Sequence, residues 1–190
     1  MKKTKLFILG AGAIFTLAGW GFVMAQTPGS SPLSPAPIGM VTSGIVECGQ
    51  GYTSHELYDM KITLLEAYRG EEAWKRLKEA SPSNKPLASG KEYIIARVRF
   101  EYHARGTPGL CVHQLVPEQF TAFSTEGIDY SNPVVVPPNP GMNKAIKSGE
   151  SLEGWVAFAV AQQDKSPLMS YSADIGGAVV HGGAKWFKLY

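Results

Sequence analysis

The stretch from Glu92 to His103 sets the tightest constraint on the fold. Ile94, Ala96, Val98, Phe100 and Tyr102 share one parity; Arg97, Arg99, Glu101 and His103 share the other. A period of two sustained this long is incompatible with a helix and describes an antiparallel strand with one buried face. Ser151 to Val160 repeats the pattern, with Leu152, Val156, Phe158 and Val160 on one side. Trp155, Ala157 and Ala159 lie on the other, so both faces of this strand are expected to be covered. Leu57 to Tyr68 places Tyr58, Met60, Ile62 and Leu64 on one parity. Shorter candidates are Gln119–Phe123, Ile128–Tyr130, Val134–Val136, Leu168–Ala173 and Ala184–Tyr190, punctuated by Glu126-Gly127, Asn132-Pro133, Pro137-Pro138, Ser148-Gly149, Gly176-Gly177 and Gly182-Gly183. With 21 glycines and 13 prolines and no alternation of strands and helices, the reading is all-β: an antiparallel sandwich of seven or eight strands.

One helix is expected inside this pattern, at Glu71–Ala80, with Ala73, Trp74, Leu77 and Ala80 on one face. Glu71 and Glu72 sit at its positive end, and Glu71–Lys75 and Glu72–Arg76 have the favourable i,i+4 order. Ser81-Pro82 ends it. The stripe is expected to cap the open end of the sandwich, and Trp74 with Leu77 forms the candidate interaction surface.

The chain opens differently. Lys2, Lys3 and Lys5 precede an uncharged run from Leu6 to Ala25, and Val23-Met24-Ala25 suits signal-peptidase cleavage before Gln26. Residues 1–25 therefore read as an export signal, with an uncleaved membrane anchor as the rival. Membrane contact is expected only through that segment. Cleavage removes three of the 18 basic residues, leaving 15 against 16 acidic ones, a net charge of −1. A near-neutral domain does not supply the clustered basic excess that nucleic-acid binding requires, and Lys75, Arg76 and Lys78 are interleaved with Glu71, Glu72 and Glu79. Residues 26–39 carry Pro28, Pro32, Pro35, Pro37, Ser30, Ser31 and Ser34, a composition expected of a solvated linker. The folded domain then runs from 40 to 190.

Several positions in order form a pattern. Arg69-Gly70-Glu71-Glu72-Ala73-Trp74 is followed by Ala80, Asn84, Pro86 and Gly90-Lys91-Glu92-Tyr93. Gly127-Ile128-Asp129-Tyr130, then Ser148 through Phe158, then Asp164, Pro167, Tyr171 and Trp186-Phe187-Lys188-Leu189 continue it. This series resembles a family of bacterial exported immunoglobulin-like domains, domain of unknown function 4352, also called immunoprotective extracellular-like. The resemblance implies a β-sandwich, a secreted or lipid-anchored protein, and no established activity. This chain lacks a lipid-attachment cysteine near its cleavage point. Within the pattern, Gly149 supplies a turn, Gly154 an inward position without a side chain, and Trp155 a large core or helix-seating group; all three read as fold-forming.

Cys48 and Cys111 are the two cysteines, and an exported pair is most simply a disulfide. The alternative is a metal site in which Cys48, His55, Cys111 and His113 make a Cys₂His₂ set, with Cys111 and His113 two apart on one side of a strand. The spacings of the common zinc motifs are missing. No nucleophile elbow or HExxH helix occurs, His55, His103, His113 and His181 are scattered, and Met60, Met142 and Met169 form no copper-binding run. No catalytic residue and no cofactor are assigned. The expectation is a secreted or periplasmic, non-enzymatic module that meets an unknown protein or envelope component, with an envelope hydrolase as a further alternative.

Overall fold

A computed structural model of the chain describes residues 27–49, 55–106, 109–173, 179–181 and 183–190. The segment 1–25, expected to be an export signal, lies outside these residues. Eleven strands and one α-helix follow in order: β1 (Val41–Gly49), β2 (His55–Arg69), α1 (Glu71–Ala80), β3 (Lys91–Ala104), β4 (His113–Leu115), β5 (Phe120–Phe123), β6 (Asp129–Tyr130), β7 (Lys144–Ile146), β8 (Ser151–Ala161), β9 (Leu168–Tyr171), β10 (Val179–His181) and β11 (Lys185–Lys188). All the strand pairs are antiparallel, in a five-stranded sheet of order β10-β1-β2-β3-β8, a four-stranded sheet of order β11-β9-β5-β6, and a ribbon of β4 with β7. The fold is all-β.

The long strands fill one core. Ile94, Ala96, Val98, Phe100 and Tyr102 of β3 are buried, as are Tyr58, Met60, Ile62 and Leu64 of β2. They share that core with Phe120, Met169, Tyr171 and Phe187 of the second sheet, and the Phe100 and Tyr171 rings meet across it at 5.5 Å. The register of β2 against β3 slips between Leu64 and Glu66, a bulge that turns Glu66 and Tyr68 to the outer face.

Several sequence expectations change here. The strands number eleven among the described residues rather than seven or eight. Val134–Val136 is no strand; it runs extended over the outer face, where the Val136 amide donates to Asn84 Oδ1 at 2.8 Å. The helix covers the outer face of the five-stranded sheet rather than its open end: Ala73 and Leu77 pack with Tyr93, Ile95 and Trp155. Ala80 is exposed, and of the two expected ion pairs only Glu72–Arg76 forms, at 2.8 Å. Finally, the Pro/Ser-rich segment is a strap laid against the sheet. Ala36 is fully buried and pairs in parallel with Phe187. The Ala36 amide donates to Trp186 O at 2.8 Å, and Lys188 and Trp186 amides donate to Ala36 O and Gly29 O, each at 2.9 Å. An edge strand with unpaired polar groups recruits the nearest extended segment, whatever its composition.

Candidate functional site

The outer face near α1 holds a cleft of about 250 Å³ that passes Trp74, Tyr93, Leu87, Glu71, Lys91 and Gln162. Gly70, at φ 64°, turns the chain from β2 into α1, a backbone conformation that a side chain disfavours. The turn delivers Trp74 onto the outward parity of β3, where its ring lies over Tyr93 at 5.9 Å and 14° between planes. Tyr93 is fixed beneath it by a 2.7 Å hydrogen bond from its hydroxyl to Lys85 O, and burial raises its pKa. The far end of α1 is pinned by Asn84, whose buried Nδ2 donates to Leu77 O at 2.7 Å and Val136 O at 2.8 Å. Arg69 pins the near end, donating to Glu92 Oε1 and Asp164 O at 2.6 and 2.5 Å. Trp74 is half-buried at the cleft. Leu77 is fully buried under the helix, so it supports the surface and does not form part of it.

The cysteines are bonded to each other, Cys48 to Cys111, with Cα atoms 6.3 Å apart. That corrects the Cys₂His₂ alternative, because neither sulfur is left as a thiolate to bind a metal. The two histidines of that set are also engaged elsewhere: His55 Nδ1 meets Glu47 Oε1 at 2.7 Å, and His113 Nε2 meets the Tyr171 hydroxyl at 2.9 Å. Among the described residues no group of three or more His, Cys, Asp or Glu side chains is arranged to hold a metal ion.

Around the disulfide lies a polar knot at the edge of the core. The Cys111 amide donates to Glu56 Oε2 at 2.9 Å and to the Tyr58 hydroxyl at 2.8 Å, while Tyr58 itself donates to Glu56. The Tyr58 hydroxyl holds the Glu56 carboxyl below its usual range. Tyr58 stacks on Tyr102 at 4.2 Å, and Tyr102 and Phe100 close over His113 at 5.4 and 5.2 Å. Burial pushes the His113 pKa down to about 4, so the imidazole is neutral at physiological pH. The Tyr102 hydroxyl is buried without a partner among the described residues, and desolvation raises its pKa. This neutral histidine, buried and paired with a tyrosine hydroxyl, packs the core.

Gly149, Gly154 and Trp155 sit on one strand junction. Gly149 turns at φ +87° ahead of β8. A Cβ on Gly154 would stand 2.7 Å from Met142 Sδ and 3.1 Å from the Gly141 backbone. The Trp155 amide donates to Pro140 O at 2.9 Å and its ring lies 6.0 Å from Tyr68, next to the buried side of α1. Sequence reasoning overlooked Asn84, Arg69 and His113 as organising groups. The first two were present in the pattern of positions, which gave their place but not their partners; His113 was marked only by Cys111 two residues earlier, as a candidate metal ligand, and not as a core group.

No family model matches the chain, and no curated protein does. Among solved structures the chain is similar to a Bacillus subtilis protein described as a "putative lipoprotein", at 16% identity and a TM-score of 0.47. The match covers 68% of this chain and 35% of that one, so the chain spans about a third of that protein's length.

Proposed function

We propose that this chain is an exported, non-enzymatic, immunoglobulin-like module of the cell envelope that binds through the cleft beside Trp74. The observation that carries the reading is the half-exposed Trp74, stacked on a fixed Tyr93 and held between two pinned helix ends. Large aromatic groups presented on a rigid scaffold recognise ligands at low entropic cost, because little freedom remains to be lost. Two antiparallel sheets sharing one core support the immunoglobulin-like assignment. Export is supported by the basic, then uncharged, segment before residue 26 and by the disulfide, a bond of oxidising compartments. The described residues contain no helix long and apolar enough to cross a membrane.

The test is retention at the envelope. Wild-type protein is expected to co-sediment with purified envelope fragments, and Trp74→Ala protein to stay in the supernatant while keeping its circular dichroism spectrum. Equal recovery of both in the supernatant overturns the proposal.

A further inference from the structure

The polar groups around Trp74 identify the class of ligand, an inference that rests on the binding-module reading above. The cleft has an apolar wall and a polar rim. Trp74, Tyr93 and Leu87 make the wall; Glu71, Lys91 and Gln162 make the rim. The rim side chains are exposed, and none makes a side-chain hydrogen bond or ion pair with another described residue. A second carboxylate at the cleft, Glu92, is neutralised by Arg69 at 2.6 Å. That leaves one negative charge, Glu71, against one positive charge, Lys91. The rim is balanced, with donors on Lys91 and Gln162 and acceptors on Glu71 and Gln162.

This balance discriminates between ligands. A cationic ligand would gain from the aromatic face, but the attraction of Glu71 is cancelled by the repulsion of Lys91, so the rim gives it no net charge selection. An anionic ligand meets Glu71 as well as Lys91, which cancel, and finds no arginine fork free, since Arg69 is bound to Glu92 and the Asp164 carbonyl. A purely apolar ligand would strip water from three polar side chains without replacing their hydrogen bonds. A neutral polyhydroxylated ring meets all the conditions at once. One face of such a ring carries C–H groups whose slight positive charge suits the negative face of an indole, and its edge carries hydroxyls that both donate and accept. A cleft of about 250 Å³ has room for one ring of that size.

We infer that the Trp74 cleft is a saccharide-binding site, holding one neutral sugar ring against Trp74 with its hydroxyls on Glu71, Lys91 and Gln162. The test is titration of ¹⁵N-labelled protein with neutral tetrasaccharides of glucose, mannose and N-acetylglucosamine, with choline and inorganic phosphate as ionic probes. The Trp74 indole N–H signal is expected to shift with at least one tetrasaccharide and with neither ionic probe. Trp74→Ala should weaken that binding roughly tenfold or more, and Trp74→Phe should retain most of it, since phenylalanine keeps an aromatic face. Gln162→Ala, at an exposed position where loss of fold is not expected, should weaken it by about threefold, the loss of one rim hydrogen bond. A shift with choline or phosphate but no sugar, or no Trp74 shift with any tetrasaccharide, overturns the inference. In those cases Trp74-dependent envelope retention would leave the binding-module reading standing with a different ligand; loss of both results would remove both.

Discussion

His113 illustrates how a single side chain in this fold trades charge for packing. Its ring is enclosed by Phe100, Tyr102 and the Tyr171 hydroxyl, and its pKa falls to about 4 from an ordinary 6.5 because burial disfavours the imidazolium. The folded state thus resists a proton that the unfolded chain accepts. Above pH 6.5 both states are neutral and the stabilisation is complete; between pH 6.5 and about 4 it is lost as acid is added. The interval corresponds to about 3 kcal/mol at most. Urea midpoints measured across that range should fall with acid in the wild type and fall less in His113→Phe, whose baseline stability is lower because Tyr171 loses a partner. Equal slopes in the two proteins would contradict the assignment. None of this is visible locally in the chain, where His113 sits between Val112 and Gln114; the enclosing residues come from β3 and β9 and converge only in the folded state. The cysteine pair was legible for the opposite reason, because export and an even count already restrict it. Leu77 was misjudged as surface, since the helical period identifies an apolar face without saying which of its members reach solvent.

At the scale of elements, period decides what can be read. β3, β8 and α1 each repeat their pattern long enough to be recognised, and all three stand where expected along the chain. β4, β7 and β10 have three residues each, too short for any period to emerge. β1 was missed because its inward position at Gly44 carries no apolar group. Met60 and the Lys185 stem occupy that space, and a Cβ there would meet them at 2.5 and 2.8 Å. The strap at 29–36 is the largest departure. Pro and Ser composition describes what a segment can bury by itself, whereas this one is held by hydrogen bonds that the β11 edge supplies. A chain beginning at Pro37 should therefore expose that edge. Compared with one beginning at Gln26, it is expected to melt several degrees lower and to sediment as concentration-dependent oligomers, as open edges do. Monomeric sedimentation at unchanged melting temperature would show that the strap contributes nothing.

For the whole molecule, the disulfide encloses most of the long-sheet scaffold. Its 63-residue separation spans β2, α1 and β3, so it restricts the unfolded chain over the elements that carry Trp74. The chain-entropy account gives about 4 kcal/mol for a loop of that length. Cys48→Ser/Cys111→Ser protein should have a lower urea midpoint and a steeper dependence on urea, because its unfolded state expands further. The folded spectrum should persist, since Glu56 and Tyr58 still hold the residue 111 amide. A midpoint unchanged by the double substitution would mean that the bond does not restrict the unfolded chain as the chain-entropy account requires.

The strap meets β11 at one parallel bridge, Ala36 with Phe187, which gives the molecule a mechanical polarity. The chain enters the pair at one end, before Gly29, and leaves it at the other, after Lys188. A pull between the two sides loads the Gly29–Trp186 bond first and the Ala36 bonds after it, because Gly29 and Ala36 both bond Trp186 and the chain between them is a loop. A domain held upstream of the strap and drawn from beyond Lys188 would give way stepwise, first at Gly29, then by opening the 29–36 loop, and last at the Ala36 bridge.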